Sequence, residues 1–310
     1  MCSSDLGVRA VFAYGNPQTA SGNWKEAPRH KYPGDIARLR KQYFNSDDQL
    51  LTLAMASPGG TPDEVLAVWK QARDVGARIT IHVGVGEFGR NALIEWINAT
   101  EPLRSDTTYV HCCTLNDMEW KLIKDSGGAV SIAGYVEKLM GHGNPPVQKA
   151  IDAGIRPCLS VDVETSVPGD FFNQMRSVFS QQKNEVWTRQ LAGEKNLPAF
   201  LKVRDVLEFA TVEGARANGL ERKVGVLKPG MEADIILMRT DRPNVMPVNN
   251  AVGAVVTSMN PANVDTVIIA GKMVKRDGKL VGVDMNKMFQ LGRAAQDRAY
   301  KAAGVPLKRI

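Results

Sequence analysis

From about residue 50 onward, short apolar runs alternate with amphipathic stretches, the pattern of repeated β/α units. "LLTLAMA" (50–56) predicts a strand, and Thr61, Pro62 and Glu64 then supply an N-cap, a first-turn proline and a capping box. Val65, Leu66, Val68, Trp69 and Ala72 fall on one face of the helix that follows, which ends by Gly76. "RITIHV" is the next strand, "NALIEWIN" a helix and "TTYVH" (107–111) a strand. Asn116 with Glu119 opens the helix "DMEWKLIKDS", which stops at Gly127. "GAVSIA" (128–133), "PPVQKAIDAG" (145–154) and "RPCLSVDV" (156–163) continue as strand, helix, strand. With "GVRAVFAYG" (7–15) in front, the pattern counts six strands. Units of this kind build an α/β parallel sheet, either doubly wound or closed as a (β/α)8 barrel, and in both the ligand sits at the carboxyl ends of the strands.

After the helical stretch "FLKVRDVLEFATVEGARANGL", the texture changes near residue 222. "ADIILMRT", "AVVTSM" and "DTVIIAGKMVKRDGKL" read as β-branched strands with tight turns, and Asp277-Gly278 is a hairpin signal. A last amphipathic helix is expected over roughly 284–302.

Composition narrows the class. The 310 residues are 44% hydrophobic and 23% charged, and no apolar run approaches the roughly 20 residues of a membrane helix. The start lacks a signal peptide's features, so a soluble, cytoplasmic protein is expected. Cys2, Cys112, Cys113 and Cys158 show no CxxC spacing and read as free thiols in a reducing compartment. The net charge of +6 comes from Lys and Arg scattered among acids, which argues against a nucleic-acid footprint.

Three polar residues fall at or beside strand ends: His82 after "ITI", His111 after "TTYV" and Asp162 after "CLSV". Imidazole nitrogens and a carboxylate oxygen suit a divalent ion such as Zn2+ or Fe2+, which would lower the pKa of a bound water towards neutrality. No G-x-S-x-G elbow or phosphate loop competes with them. "GVGEFG" has G-x-G-x-x-G spacing at Gly84, Gly86 and Gly89, but the acid expected some twenty residues later is not at a strand end.

The runs "ITIHVG", "YVHCCTLNDMEWKLIKDSGGAVSIA", "MGHGNPPVQKAIDAGIRPCLSVDVE" and "ATVEGARANGLERKVGVLKPGMEADIIL" resemble the amidohydrolase superfamily, in its cytosine-deaminase and chlorohydrolase-like branch. The resemblance implies a TIM-type (β/α)8 barrel beside a small β-sandwich. It also implies one divalent ion held by an HxH pair on the first barrel strand, a fifth-strand His and an eighth-strand Asp. His82 and Asp162 match the last two, and His111 matches a sixth-strand His that reaches metal, water or substrate. Asp162 would be the general base for metal-activated water attacking an sp2 carbon of a small cyclic or amidine-like substrate, with ammonia, an amine or a halide expelled.

The chain departs from the family pattern in several places. The HxH pair is absent, and His30 in "EAPRHKYPGD" reads as a surface residue. "GVRAVFAYG" looks like the family's third strand, so a barrel lacking its first strands is expected. Residues 1–6 then read as a non-native scar, 7–221 as a partial barrel of strands three to eight, 222–282 as a β-sandwich portion and 283–310 as a helix and tail. Such a chain is expected to hold metal weakly and to be inactive alone. Deaminase relatives carry HxxE after the fifth-strand His; here Val85 takes that position and Glu87 is the nearest acid. Glu87, Glu137 and His142 are the candidate substrate contacts. The rival reading is a catalytically inactive relative that binds a small molecule, and a homo-oligomer stays open.

Overall fold

A computed structural model describes residues 7–17 and 31–306; the expectations placed on residues 1–6 and on His30 lie outside these. In chain order come β1 (Ala10–Tyr14), α1 (Ile36–Gln42), β2 (Leu51–Ser57), α2 (Pro62–Asp74), β3 (Arg78–Val83), α3 (Leu93–Thr100) and β4 (Thr107–His111). Next are α4 (Asp117–Ser126), β5 (Ala129–Ile132), α5 (Val136–Leu139), α6 (Val147–Asp152), β6 (Cys158–Leu159) and α7 (Phe171–Leu191). Then follow α8 (Val203–Phe209), α9 (Val212–Ala217), β7 (Ile235–Met238), α10 (Ala251–Thr257), β8 (Val264–Ile269), β9 (Lys272–Arg276), β10 (Lys279–Leu280) and α11 (Met285–Ala303).

β1 to β6 form one sheet in sequence order, every neighbouring pair parallel. It is a curled half-barrel of the TIM type rather than a doubly wound sheet, because the strand order never reverses. The capping boxes form as read. The Thr61 hydroxyl accepts the Glu64 N–H at 3.4 Å, and Glu64 accepts the Thr61 N–H at 3.2 Å. At α4, Asn116 and Glu119 exchange the same pair of bonds at 3.0 and 3.1 Å. Glu119 Oε1 also accepts the Ile94 N–H at 3.3 Å, so one buried carboxylate satisfies the first turns of both α3 and α4. The core between sheet and helices holds Trp69, Ile79, Ile81, Ile94, Ile97, Tyr109, Ile123, Val130 and Ile132, all buried.

The C-terminal module is an antiparallel sheet ordered β10-β9-β8-β7. Asp277 (φ 49°) and Gly278 (φ 75°) make the predicted hairpin turn, with both central residues left-handed. Arg9, just before β1, pairs with Asp234 at 2.6 Å and also with Glu232, fastening the module to the first strand. One expectation fails here: "AVVTSM" is not a strand. Its first four residues belong to α10, where Asn250 caps the helix by accepting the Gly253 N–H at 2.9 Å. Val255 and Val256 are buried beside α7 and α8, and tertiary packing overrides β-branched propensity. Among the described residues, no helix is long and apolar enough to cross a membrane.

Candidate functional site

The carboxyl ends of β3, β4 and β6 open into a cavity of about 410 Å³. His82, Val85, Phe88, His111, Met140, His142 and Asp162 are among the residues that line it. Hydrogen bonds between loops fix its wall. The Thr114 N–H reaches the Gly84 carbonyl at 3.0 Å, and the Gly86 N–H reaches the His142 carbonyl at 2.7 Å. The loops after β3, β4 and β5 thus hold each other in place.

Parallel register pairs His82 with Val110 and Val83 with His111. Regular pleating would therefore send the two imidazoles to opposite faces of the sheet. His111 instead has φ 74° and Cys112 φ 59°, a left-handed pair without glycine. That conformation costs energy and persists only where its surroundings enforce it. It brings the His111 ring against His82, stacked with centroids 5.3 Å apart and an interplanar angle of 21°. His142 meets the His111 ring edge-on, with centroids 4.7 Å apart. Asp162, three residues beyond the short β6, is also left-handed (φ 70°) and brings Oδ2 to 3.7 Å from His111 Nε2.

The other two candidates lie elsewhere. Glu87 begins a short 3-10 turn, exposed and beside Arg90 at 3.6 Å, and does not line the cavity. Glu137 is fully buried behind His111, with Oε1 3.2 Å from His111 Nδ1, where no substrate can touch it. Sequence reading missed Phe88, which is 95% exposed on the cavity's rim with Met140 and Val163. The signal was available, since an exposed apolar residue in a glycine-rich strand-end loop has no core to fill.

The donor set suits a divalent ion in kind. His111 Nε2 and Asp162 Oδ2 are too far apart for a hydrogen bond, yet within the roughly 4.2 Å that two ligands about 2.1 Å from one ion can span. In number it falls short: among the described residues, no group of three His, Cys, Asp or Glu side chains is arranged to hold an ion. We therefore expect the chain to retain zinc well below one ion per polypeptide after dialysis. Stoichiometric, tightly held metal by elemental analysis would contradict this.

Enclosure by the surrounding loops, then the neighbouring His111 ring, lower the pKa of His82, while Asp162 opposes them. The same two causes lower His142. Both stay neutral to lower pH than a free imidazole, as ligands must. Below the ordinary value of about 6.5 the unfolded chain takes up protons that the native state refuses, so stability falls as the pH drops through that value. An NMR titration should give midpoints for both rings below about 6.5. Midpoints above it would reverse the sign of this pH dependence.

A family model described as "Amidohydrolase family" matches residues 2–274. The 5'-deoxyadenosine deaminase of Methanothermobacter thermautotrophicus is 29% identical over 271 residues, which are 83% of this chain and 61% of that protein. The 5-methylthioadenosine/S-adenosylhomocysteine deaminase of Desulforudis audaxviator is 30% identical over 56% of this chain and 39% of its own length. Among solved structures, a zinc-bound adenosine deaminase from Xanthomonas campestris superposes with a TM-score of 0.78 at 19% identity, over 95% of this chain and 67% of that one. An atrazine chlorohydrolase from Arthrobacter aurescens complexed with zinc gives 0.72 at 19% identity, over 94% and 67%.

Proposed function

Because the chain belongs to the amidohydrolase family, we propose that the protein is a metal-dependent hydrolase of a non-peptide C–N bond, or a C–halogen bond, in a small cyclic substrate. The observation that carries this reading is the meeting of His82, His111 and Asp162 at three strand ends around one cavity. The curated relatives are named as deaminases of adenine nucleosides, which favours release of ammonia from an aminopurine, an amidine-like group on a planar ring. The free thiols Cys112, Cys113 and Cys158 support a reducing, cytoplasmic setting.

In this reading His111 and Asp162, whose spacing one ion can span, would hold one divalent ion, zinc by analogy with the solved neighbours, with His82 beside them; the described residues do not by themselves complete its site. When bound, that ion supplies Lewis-acid polarisation and makes water nucleophilic near neutral pH. Asp162, with Oδ2 facing the cavity, takes the proton that attacking water loses and passes it to the departing group. The exposed ring of Phe88 offers a stacking surface for the substrate. Phe88→Ala should raise KM about 3- to 10-fold with little change in kcat, from the loss of about 0.5–1.5 kcal/mol of ring stacking. A fall in kcat alone would remove Phe88 from the substrate's ground-state contacts.

The test is ammonia release from 5'-deoxyadenosine and related nucleosides by the purified protein, with and without added zinc. Zinc-dependent turnover supports the reading. Its absence favours a second reading, a relative that binds a small molecule without turning it over. The observations behind that alternative are Val85 on the cavity wall and Glu87 turned to solvent, which leave no acid where deaminase relatives carry one.

A further inference from the structure

We propose that Glu137 is a positioning residue: it holds the His111 proton on Nδ1, so that Nε2 presents a bare lone pair to Asp162 and the cavity. The proposal rests on the hydrolase reading only for the use made of that lone pair. Glu137 lies in the first turn of α5 and has no exposed surface. Its Oε1 accepts the Ala133 backbone N–H at 2.7 Å. A backbone N–H can only donate, so this oxygen carries lone pairs and no proton. The remaining partner of Oε1, His111 Nδ1 at 3.2 Å, must then be a donor as well.

A neutral imidazole carries a single N–H, so fixing it on Nδ1 strips Nε2. That nitrogen sits 3.7 Å from Asp162 Oδ2, a pair of acceptors facing one another across a gap that suits an electrophile and not a hydrogen bond. The ring has little freedom to correct an error. It is 2% exposed, stacked on His82 and wedged by His142. Without Glu137, the other tautomer would donate Nε2–H to Asp162, placing a proton where the site needs a lone pair. A ligand histidine whose far nitrogen is held by a carboxylate is a general device of metal centres, and removing the carboxylate commonly costs about 10- to 100-fold in affinity or activity.

The test needs neither metal nor substrate. The chain has four histidines, so long-range 1H–15N spectra, assigned by replacing His30, His82 and His142 singly with Gln, report the tautomer of His111 directly. The native chain should show Nδ1–H at His111. Glu137→Gln, whose amide oxygen can still accept from both donors, should keep it, and Glu137→Leu should convert the ring to Nε2–H. An Nε2–H signal in the native chain overturns the proposal, and so does an Nδ1–H signal that survives in Glu137→Leu. Should Glu137→Leu fail to fold, the native and Gln spectra still decide, since Gln restores the acceptor but not the charge. The expected tautomers in a protein that turns over no nucleoside would count against the hydrolase reading while leaving the role of Glu137 intact.

Discussion

In the proposed hydrolase, Asp162→Asn should lower turnover by about 10²- to 10⁴-fold while leaving the protein folded. The substitution isolates chemistry from structure because of the backbone at this position. Asp162 sits at φ 70°, and Asn is among the few residues that share Asp's tolerance of left-handed conformations. An alanine there would add backbone strain and confound the result. The Asp162 N–H donates to the Ser160 hydroxyl at 3.1 Å, a turn that the substitution leaves intact. What changes is the carboxylate facing His111, which in the amide form can neither take a proton from water nor offer an anionic oxygen to a cation. The measurement is kcat/KM for ammonia release beside a thermal melt, both on the purified protein. Turnover equal to the parent's would remove Asp162 from the mechanism, and loss of the melting transition would show a structural role instead.

The parts of the site that sequence made legible and the parts it hid divide along a physical line. His82 and Asp162 were legible because β/α periodicity places strand ends, and strand ends face the ligand. His111 lines the same cavity for a reason the sequence does not contain. Its phase in the pleat points away from His82, and only the left-handed turn at His111 and Cys112 brings the ring round. Glu137 looks like a substrate contact in sequence because it is an acid soon after a strand, yet it faces His111. Its partner is 26 residues away at the end of β4, and such a contact leaves no mark on local pattern. Glu87 failed similarly: Gly84 and Gly86 both adopt positive φ, and the strand's alternation ends before reaching it. In the C-terminal module, the Asp277-Gly278 turn was legible because two left-handed residues demand such a dipeptide, whereas α10 was not, since its helix is set by Asn250 and by packing against α7 and α8.

The same loop gives the second large effect, and it explains the glycine spacing that looked like a nucleotide fingerprint. Gly89→Ala should destabilise the protein by about 3 kcal/mol or more, whereas Gly59→Ala, on the same cavity, should change it by less than about 0.5 kcal/mol. A Cβ at Gly89 would lie 2.4 Å from the Gly84 carbonyl carbon, 2.5 Å from Gly84 Cα and 2.8 Å from the Thr114 hydroxyl. Two of those three are backbone atoms, and the chain there is held by the Gly89 N–H on the Val85 carbonyl and the Thr114 N–H on the Gly84 carbonyl, both at 3.0 Å. Neither side can retreat without giving up those bonds. Around Gly59, by contrast, an added Cβ meets no atom within 4 Å. The glycines of "GVGEFG" therefore let the loop double back on the end of β3, and Gly89 is the point of closest approach. For a chain of this size the Gly89 variant should melt lower by about 5 °C or more, with Gly59→Ala within about 1 °C of the parent. Because the loop carries Phe88 and adjoins His82, the Gly89 variant should also lose substrate affinity out of proportion to its melting shift. Equal melting temperatures for the two variants would show that the loop can open by another route, and would break the link between the glycine pattern and the shape of the cavity.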